Sequence, residues 1–289
     1  MKEKINKEKV AGAVVLYNSP LETIDNISTY IDQVEKLYVV DNSVKPNAKL
    51  VETLKSYSKI HYHSLNGNDG IATALNWAAN QAISDNFSVL LTMDDDTQIP
   101  VGCIQQMLDF WSQYPANIGI LSGIHHIKPD TAPFRKLLYT LTSGNLLSLS
   151  AYSATGPFRD DFFIDHVDHE YGIRLNQNGY VVIELPNIRF NHRLGTTDTL
   201  KVGGRIISTY GSHSPLRLYY FARNGVYMAR QYFSSQPMLS WMVAEELAKR
   251  CVKAMFLQSD TKVRMRMLLV GVKDGWVGRL GKYNSSKRN

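Results

Sequence analysis

The sequence predicts an α/β fold in which helices flank a mostly parallel β-sheet. Two observations lead to this fold class. Between residue 10 and residue 122, short apolar runs of strand length alternate with longer segments whose apolar residues recur at helical spacing. In addition, residues 87–93 form an almost continuous apolar run, which is typical of a strand buried on both faces of a parallel sheet. We therefore expect a doubly wound sheet with ligands bound at the carboxyl ends of its strands.

The first half of the chain alternates regularly between predicted strands and helices. The helix after the first strand has a capping box in Ser19 and Glu22, with Pro20 between them, which indicates where it begins. The helix after residue 70 is rich in small residues and can therefore lie close to the sheet. The predicted strands are residues 10–16, 36–40, 59–63, 87–93 and 118–122, and the predicted helices are residues 21–34, 46–57, 71–82 and 100–114.

The pattern is less regular after residue 124. Polar, Gly-, Ser- and Thr-rich stretches separate shorter apolar runs there, and no internal repeat is present. The predicted elements are a loop over residues 125–136, a strand over 137–149 interrupted at Ser143, a helix over 164–174, a strand over 179–185 and a mobile lid over 196–216.

The composition is that of an ordinary globular protein, with 44% hydrophobic and 20% charged residues in 289. No apolar run reaches the roughly 18 residues that span a bilayer, and the polar N-terminal residues lack the apolar core of a signal peptide. The two cysteines, Cys103 and Cys251, have no metal-ligand spacing. These features predict a protein of the reducing cytoplasm.

The excess positive charge is confined to the C-terminal part of the chain. Residues 249–289 contain eleven Lys and Arg against two Asp, a local net charge of +9, whereas the whole chain carries +6. The preceding 248 residues therefore carry 21 basic and 24 acidic side chains, a net charge of −3. This distribution indicates a local anionic partner at the tail. It argues against a nucleic-acid-binding protein, the alternative from a different functional class.

The chain is predicted to divide into a catalytic domain, residues 1–236, and a basic helical segment, residues 237–289. In this segment apolar residues recur at helical spacing opposite charged ones, and a strongly basic stretch follows at residues 261–270. The apolar stripe either packs on the catalytic domain or lies on an anionic membrane surface, and both interpretations stay open. The stripe consists of Leu239, Met242, Val243, Leu247, Cys251, Val252, Met255 and Phe256.

Four groups of polar residues follow predicted strands or loops. Three adjacent carboxylates repel one another, so we expect a divalent cation and a phosphate-bearing substrate beside them, with a solvated turn as the alternative. An acid after the second strand is suited to hydrogen-bond a base or ribose, and a loop before a helix N-terminus is suited to hold phosphate. An acid on a later helix is suited to take a proton, and a histidine to ligate a metal. The groups are Asp41-Asn42, residues 66–70, Asp94-Asp95-Asp96, and Asp165 or Asp168 with His192.

Together these residues resemble the inverting, GT-A-fold glycosyltransferases of family 2, and among them the bacterial rhamnosyltransferase-like branch. The resemblance covers about residues 10–282 and is specific through the combination of its parts. It implies a GT-A fold, a Rossmann-like mostly parallel sheet flanked by helices, followed here by a basic helical tail. The matching stretches are residues 14–18, 39–43, 68–76, 91–97, 142–145, 162–174, 192–195, 215–224, 274–275 and 278–282.

The resemblance also implies a role for each residue of the site. Asp168 would be the catalytic base, and Asp165 stays an alternative because Val167 stands where the family usually has an acid. Asp96 and His192 would ligate a divalent metal, Mg²⁺ or Mn²⁺. The nucleotide sugar would be bound by Tyr17, Asp41, Asn42, Asn68, Gly70, Asp94, Asp95 and Arg223.

The implied reaction is a single displacement that moves L-rhamnose from dTDP-L-rhamnose to a saccharide acceptor. The acceptor would be a growing bacterial surface polysaccharide, such as O-antigen or a cell-wall polymer, or its lipid-linked precursor. The tail would hold the enzyme on the inner face of the plasma membrane. Two other activities remain as alternatives: a galactofuranosyl- or other hexosyltransferase that uses a UDP-sugar, and a nucleotidylyltransferase. A homo-oligomeric assembly also stays open.

Overall fold

The structure is a computed structural model of the 289-residue chain. It describes residues 7–124, 131–192, 197–202, 205–211 and 213–284, and from residue 192 to residue 211 the backbone alone is described. The strands in these ranges are β1 (Val10–Leu16), β2 (Lys36–Asp41), β3 (Ile60–Ser64), β4 (Val89–Asp94), β5 (Thr97–Gln98), β6 (Ile118–Ile124), β7 (Arg135–Leu137), β8 (Asn145–Ser148), β9 (Val181–Arg189), β10 (Asn191–His192), β11 (Thr197–Val202) and β12 (Arg205–Gly211). The α-helices are α1 (Thr23–Ser28), α2 (Ala48–Lys55), α3 (Ile71–Ser84), α4 (Cys103–Gln113), α5 (Leu149–Thr155), α6 (Val167–Gln177), α7 (Pro215–Gln231), α8 (Pro237–Phe256) and α9 (Thr261–Val277).

One mixed, mostly parallel sheet organises the first two thirds of the chain. Its strand order is β3-β2-β1-β4-β8-β6-β9-β7. Within this sheet β8 and β7 run antiparallel to their neighbours, and the other pairs are parallel. Two small sheets accompany it, the pair β10-β5 and the hairpin β11-β12. The predicted α/β fold with a mostly parallel sheet is therefore confirmed.

The centre of the sheet is apolar on both faces because helices cover it from both sides. Every residue of β1 is buried, and so is every residue of β4 except Asp94 at its end. Ala78 and Ala82 of α3 are fully buried, and their small side chains let the helix lie close to the sheet. Burial of a Val or Leu side chain contributes about 1.5–3 kcal/mol, so these strands hold the fold together.

The first helix differs from its prediction. α1 covers six residues, and a 3-10 turn (Ile31–Gln33) follows it in place of a continuous helix to residue 34. Glu22 stands at the N-cap position and forms no side-chain capping bond. The predicted capping box with Ser19 is thus wrong, because the Ser19 hydroxyl has a tertiary partner in Asp95.

The predicted strand over residues 137–149 is in fact three elements. It contains the end of β7, then β8, and its last residue starts the short helix α5. The Ser148 hydroxyl caps α5 by accepting a hydrogen bond from the Ala151 N–H at 3.2 Å. Serine is a preferred N-cap residue, and the apolar run before Ser148 obscured this helix-start signal. Within the predicted lid over 196–216, residues 197–202 and 205–211 form the hairpin β11-β12, and residues 215–216 begin α7.

The chain divides into two compact units. The sheet unit comprises Met1–Asp160 and Val167–Arg193, and the helical unit comprises Asp161–His166 and Leu194–Asn289. The predicted boundary at residue 237 therefore does not match this division, because α7 belongs with α8 and α9. None of the helices in the described ranges is both long enough and apolar enough to cross a bilayer.

Two glycines explain why α7 and α9 lie so close together. A Cβ atom at Gly271 would lie 2.5 Å from the Tyr219 carbonyl oxygen, and one at Gly275 would lie 2.2 Å from the Arg223 carbonyl oxygen. At both positions of α9 the backbone of α7 fills the space that a side chain would need. Between them, the buried Asp274 accepts a hydrogen bond from the Tyr219 hydroxyl at 2.9 Å.

Candidate active site

The parallel pairing brings three polar strand ends to one edge of the sheet. In the β1–β2 pair, Leu16 lies opposite Asp41, and in the β1–β4 pair, Val15 lies opposite Asp94. Tyr17 follows β1 directly, and its side chain is about half exposed, at 51%. The residues that the sequence placed after β1, β2 and β4 therefore lie along one edge of the sheet, as predicted for a ligand site.

Asp41 is buried at the end of β2, and two hydrogen bonds orient its carboxylate. The Ser43 N–H donates to Oδ1 and the Tyr62 hydroxyl donates to Oδ2, both at 2.9 Å. Burial and the bond to Asp41 raise the pKa of Tyr62, so the phenol keeps its proton and remains the donor. A carboxylate has about four acceptor positions, so Asp41 is fixed in orientation and can still accept hydrogen bonds from a ligand.

The Asn42 side chain ties the loop before α3 to the end of β2. Its Nδ2 donates to Asn68 Oδ1 at 3.2 Å, and its Oδ1 accepts the Asp69 N–H at 2.8 Å. Asn68 Oδ1 also accepts the N–H of Gly70, which stands at the N-cap of α3 with a φ of 91°. A residue with a side chain adopts that φ poorly, which explains the glycine. The start of α3 and Asp41 are thereby joined at the same edge.

The three acids after β4 have different surroundings. The Asp94 N–H donates to Ser143 Oγ at 3.0 Å, so its backbone is fixed where the strand ends. The Asp95 carboxylate accepts a hydrogen bond from Ser19 Oγ, and its carbonyl oxygen accepts Asn26 Nδ2 at 2.8 Å. These bonds give Asp95 a structural role that the sequence did not predict, because it fastens the acidic turn to the segment after β1.

The acidic turn offers carboxylate oxygens of the kind that bind a divalent cation. Burial, followed by the charges of Asp95 and Asp94, raises the pKa of the Tyr30 phenol. Half-buried carboxylate oxygens of Asp94 and Asp96 are the ligands that Mg²⁺ and Mn²⁺ prefer. No group of three described His, Cys, Asp or Glu side chains has the arrangement of a metal site.

The backbone brings His192 next to the acidic turn. β10 pairs antiparallel with β5, and in this pair His192 lies opposite Thr97, the residue after Asp96. The imidazole lies outside the described part of the chain. The predicted ligand pair, Asp96 and His192, is thus close in the backbone although 96 residues apart in the sequence.

Asp168 lies in the first turn of α6, and its carboxylate is held by two backbone N–H groups. The Thr142 N–H donates to Oδ2 at 3.1 Å and the His169 N–H donates to Oδ1 at 2.9 Å. The Asp168 side chain is 21% exposed. The His169 ring stacks on Tyr139 with 4.0 Å between ring centroids, which closes one side of this turn. Asp168 is therefore oriented and accessible, as a proton acceptor requires.

The helix that carries Asp168 is anchored by Arg174. The guanidinium donates to both carboxylate oxygens of Glu170, at 3.0 and 2.9 Å. It also donates to the Thr155 and Pro157 carbonyl oxygens, at 3.0 and 2.7 Å. The bidentate pair with the nearly fully buried Glu170 lies within α6 and orients the guanidinium, and the bonds to the two carbonyl oxygens fix α6 against the end of α5.

Asp165 is not on the helix, contrary to its predicted place on one face with Asp168. α6 begins at Val167, and Asp165 has a φ of 63°, outside the helical region. Its carboxylate is engaged by the Arg217 guanidinium, whose Nε lies 3.2 Å from Oδ1 and 3.3 Å from Oδ2. Asp165 is therefore a partner in an ion pair of the helical unit.

Arg223 does not fit its predicted contact with a diphosphate. The side chain is 0% exposed and belongs to the helical unit. Its guanidinium donates to Asn224 Oδ1 at 2.8 Å, to the Asp161 and Phe162 carbonyl oxygens at 3.0 and 2.8 Å, and to the Gly281 carbonyl oxygen. These bonds give Arg223 a structural role in the packing of that unit.

Sequence reasoning missed two side chains of the site. Ser143 connects the acidic turn with the segment beside Asp168, and Tyr62 orients Asp41. Ser143 lies within residues 142–145, one of the stretches that resemble the glycosyltransferase family. That resemblance indicates functional residues in the stretch without naming Ser143. Tyr62 had no signal beyond its place on a strand.

One well-defined cavity lies elsewhere in the sheet unit. It has a volume of about 610 Å³ and lies at the amino ends of β4 and β6, beside residues such as Val89, Ile118 and Ser148. Its lining, as far as the described residues show, contains no Asp, Glu, His, Lys, Arg or Cys. We place the chemistry at the opposite edge of the sheet, where the acids and the oriented amides are.

Comparison with known proteins identifies the family of the chain. Residues 13–167, more than half of the chain, match the family described as Glycosyl transferase family 2. The dTDP-rhamnosyl transferase RfbF of Shigella flexneri is 25% identical over 244 residues, which are 77% of this chain and 80% of that protein.

Solved structures share the fold. TarS 1-349 of S. aureus in complex with UDP-GlcNAc has a TM-score of 0.60 at 14% identity, covering 92% of this chain and 80% of that one. GalNAc-T7 with UDP, GalNAc and Mn²⁺ has a TM-score of 0.53 at 13% identity, covering 82% of this chain and 54% of that one. The chain spans 43% of the longer TarS structure. At these identities the likeness concerns the fold alone, which is of the GT-A type. With the family match over more than half of its length, the chain belongs to glycosyl transferase family 2 and is a glycosyltransferase.

Proposed function

We propose that this protein transfers L-rhamnose from dTDP-L-rhamnose to a saccharide acceptor, with inversion at the anomeric carbon. The observation that carries the proposal is the single sheet edge at which Asp41, the acidic turn and Asp168 are each oriented by hydrogen bonds. The similarity to RfbF, named a dTDP-rhamnosyl transferase, supports rhamnose as the sugar. A UDP-hexose or UDP-galactofuranose donor is the second candidate within the same reaction class.

The nucleotide lies at the ends of β1 and β2 in this proposal. Asp41 accepts hydrogen bonds from the base, and its bonds to Ser43 and Tyr62 hold it in place for that. Asn68 and Gly70 present the start of α3, whose N–H groups favour an anionic ligand. The exposed ring of Tyr17 is placed to pack against the nucleotide.

Asp94, Asp96 and His192 would hold a divalent cation, Mg²⁺ or Mn²⁺. When bound, the cation supplies the positive charge that offsets the charge developing on the diphosphate leaving group. The Mn²⁺ named in the GalNAc-T7 structure supports this part of the proposal by likeness of fold.

Asp168 acts as the general base. Its carboxylate takes the proton of an acceptor hydroxyl while that oxygen forms a bond to the anomeric carbon of the donor. The bond from the anomeric carbon to the diphosphate oxygen breaks on the opposite side, and the nucleoside diphosphate leaves. The backbone N–H groups of Thr142 and His169 hold the carboxylate in one orientation during this step.

The acceptor in this proposal is a surface polysaccharide or its lipid-linked precursor, met at an anionic membrane surface. Support comes from the outer faces of α8 and α9, which expose large apolar side chains beside lysines and arginines. Trp241 and Phe256 of α8 are 68% and 75% exposed, and Trp276 of α9 is 64% exposed. Exposed aromatic and basic side chains on one helix face are typical of helices that lie at a membrane interface.

Donor screening tests the proposed reaction. Purified protein is incubated with dTDP-rhamnose, UDP-galactofuranose and UDP-glucose in the presence of rhamnose-containing or lipid-linked acceptors, and release of nucleoside diphosphate is measured with Mg²⁺, Mn²⁺ or excess chelator. We expect release from dTDP-rhamnose, loss in chelator, and a product whose new linkage has the inverted configuration by NMR. Release from UDP-sugars alone would assign a UDP-sugar as the donor in place of dTDP-L-rhamnose. Full activity in excess chelator would remove the cation from the proposal. A retained configuration would exclude the mechanism.

A further inference from the structure

The backbone turn at residues 142–144 is strained where it passes the candidate site. Ser143 has a φ of 103° and Gly144 a φ of 73°. Positive φ is ordinary for glycine and rare for serine, and it persists where the surroundings hold it. Ser143 is 0% exposed, so its side chain is not there to contact solvent.

The Ser143 hydroxyl holds both ends of the acidic turn. Its oxygen accepts the Asp94 N–H at 3.0 Å, and its proton is donated to Thr97 Oγ1 at 2.8 Å. Asp94 and Thr97 flank the two remaining acids of the turn. Glycine would satisfy the backbone at position 143 without strain, but it has no hydroxyl to make these two bonds.

The neighbours of Ser143 contact the other parts of the site. The Thr142 N–H donates to the Asp168 carboxylate at 3.1 Å, and the Gly144 N–H donates to the Thr92 carbonyl oxygen of β4 at 2.8 Å. Three consecutive residues thus join Asp168, the acidic turn and the central strand.

We propose that Ser143 is a positioning residue that fixes the separation between Asp168 and the acidic turn. The proposal rests on the proposed function, in which the base and the departing diphosphate lie on opposite sides of the anomeric carbon. Their separation has to be set before the displacement, because reacting groups that are misplaced by about 1 Å lose about 100-fold in rate. Ser143 acts through Asp94, Thr97 and the Thr142 peptide.

Two substitutions separate the hydroxyl from the backbone strain. Ser143→Ala removes the hydroxyl and keeps the unfavourable φ, whereas Ser143→Gly removes the hydroxyl and relieves the strain. Ser122→Ala is the matched control, because Ser122 is also 0% exposed in the same sheet and its hydroxyl donates to the Gly123 carbonyl oxygen. Thr97→Val is a further variant, which breaks one of the two bonds and keeps Ser143.

We expect turnover at saturating substrates to fall about 10- to 100-fold in both Ser143 variants and less in Thr97→Val. The dissociation constant for the donor nucleotide should change by less than about threefold, because Asp41 and Asn42 are oriented by other hydrogen bonds. The melting temperature of Ser143→Gly should equal or exceed that of Ser143→Ala. Ser122→Ala should keep its turnover.

The proposal fails if turnover recovers in Ser143→Gly together with the melting temperature, or if Ser122→Ala loses as much turnover at equal stability. Crystal structures of wild type and Ser143→Gly give a readout that needs no donor. We expect the Asp168 carboxylate to shift by about 0.5 Å or more relative to the acidic turn, since that is the tolerance of a reacting group. An unchanged separation overturns the inference, whereas a wild type that transfers no sugar overturns the proposed function.

Discussion

Asp165 and Asp168 are three residues apart, yet their carboxylates have different partners. Two backbone N–H groups orient Asp168 and leave it accessible. The Arg217 guanidinium forms an ion pair with the Asp165 carboxylate, and the Asp165 side chain is 15% exposed. A base needs an oriented carboxylate with free acceptor positions, and a carboxylate engaged at both oxygens by a guanidinium does not meet that need. The surroundings therefore support Asp168, the choice that sequence spacing had left open.

Substitution by the isosteric amide tests this choice. Asp168→Asn should lower the turnover number by about 10²- to 10⁴-fold, the usual loss when a positioned general base is removed. Nucleotide binding should stay within about threefold, because Asp41 and the loop before α3 are untouched. Asp165→Asn is the matched control and should lose less than about tenfold through its ion pair with Arg217. Near-normal turnover in Asp168→Asn together with loss in Asp165→Asn would reverse the assignment.

Residues at strand ends could be predicted from the sequence, but their tertiary partners could not. Asp41 and Asp94 follow apolar runs, and the parallel fold alone brings them to one edge. The bond from Ser19 to Asp95 joins positions 76 residues apart. A serine before a proline is a strong local signal for a helix N-cap. The local sequence does not indicate that a distant carboxylate competes for the serine hydroxyl.

Among the elements, burial explains which predictions held. β1 and β4 are buried along nearly their whole length, so their apolar runs are unambiguous. The segment over residues 137–149 failed because β8 is a short antiparallel strand that runs directly into α5. An apolar run carries no mark of the residue at which a strand becomes a helix.

Arg223 and Asn224 of α7 hydrogen-bond α7 to the segment 161–166 of the helical unit. Both side chains are 0% exposed. Asn224 Nδ2 donates to the carbonyl oxygens of Phe162, Ile164 and Asp165 at 2.8 to 3.0 Å. Phe163 and Asp165 have positive φ, so regular structure cannot satisfy these carbonyls. The two side chains of α7 thus supply most of the donors for these carbonyls, and the Ile164 N–H also donates to the Phe162 carbonyl oxygen at 2.8 Å.

Removing the arginine should therefore destabilise the protein. Arg223→Leu removes four hydrogen bonds made by a buried guanidinium, and hydrogen bonds to a charged group contribute about 1.5–3 kcal/mol each, so we expect the free energy of unfolding to fall by about 3 kcal/mol or more. Arg217→Gln is the matched control on the same helix. Its side chain is 46% exposed and forms a surface ion pair, so a loss below about 1 kcal/mol is expected. Urea denaturation of the full chain measures both, and equal losses would contradict the structural role of Arg223.

At the scale of the whole chain, charge and exposed apolar area both concentrate in the C-terminal helices. The predicted stripe on α8 is split: Leu239 and Val243 are buried, whereas Val252 and Phe256 are exposed. On α9 one exposed stripe at helical spacing combines basic and apolar side chains. It consists of Lys262, Arg266, Leu269, Lys273 and Trp276. We refer to these five residues as the α9 stripe.

The charge of the α9 stripe favours an anionic bilayer over a second copy of the chain. A twofold interface would place the same patch on both partners, so lysines and arginines of equal sign would face each other. An anionic bilayer attracts them with about 1 kcal/mol for each basic residue near the surface, and Trp276 is suited to the headgroup level. Arg264 shares the helix but is buried against the carbonyl oxygens of Ser259 and His213, so it cannot take part.

Vesicle sedimentation tests whether the α9 stripe binds an anionic bilayer or a second copy of the chain. We expect the protein to bind vesicles that contain phosphatidylglycerol and not neutral ones, with binding that weakens as salt shortens the screening length to below about 10 Å. Neutralising Lys262, Arg266 and Lys273 to Gln together should weaken binding by about 100-fold, since three contacts of about 1 kcal/mol are lost. The matched control removes three exposed lysines of the sheet unit, Lys45, Lys49 and Lys55, and should leave binding within about threefold.

The two triple variants have the same net charge, so a difference between them reports on the α9 stripe and not on long-range attraction. Equal weakening by both would reduce the effect to net charge and remove the stripe from the proposal. Binding to neither kind of vesicle, with a dimer in sedimentation velocity that Leu269→Ala and Trp276→Ala dissolve, would assign the face to a second copy. Because an acceptor on a lipid carrier lies in the membrane plane, attachment of the enzyme there would also raise the local acceptor concentration. The α9 triple variant should therefore lose transfer to a lipid-linked acceptor and keep transfer to a water-soluble acceptor.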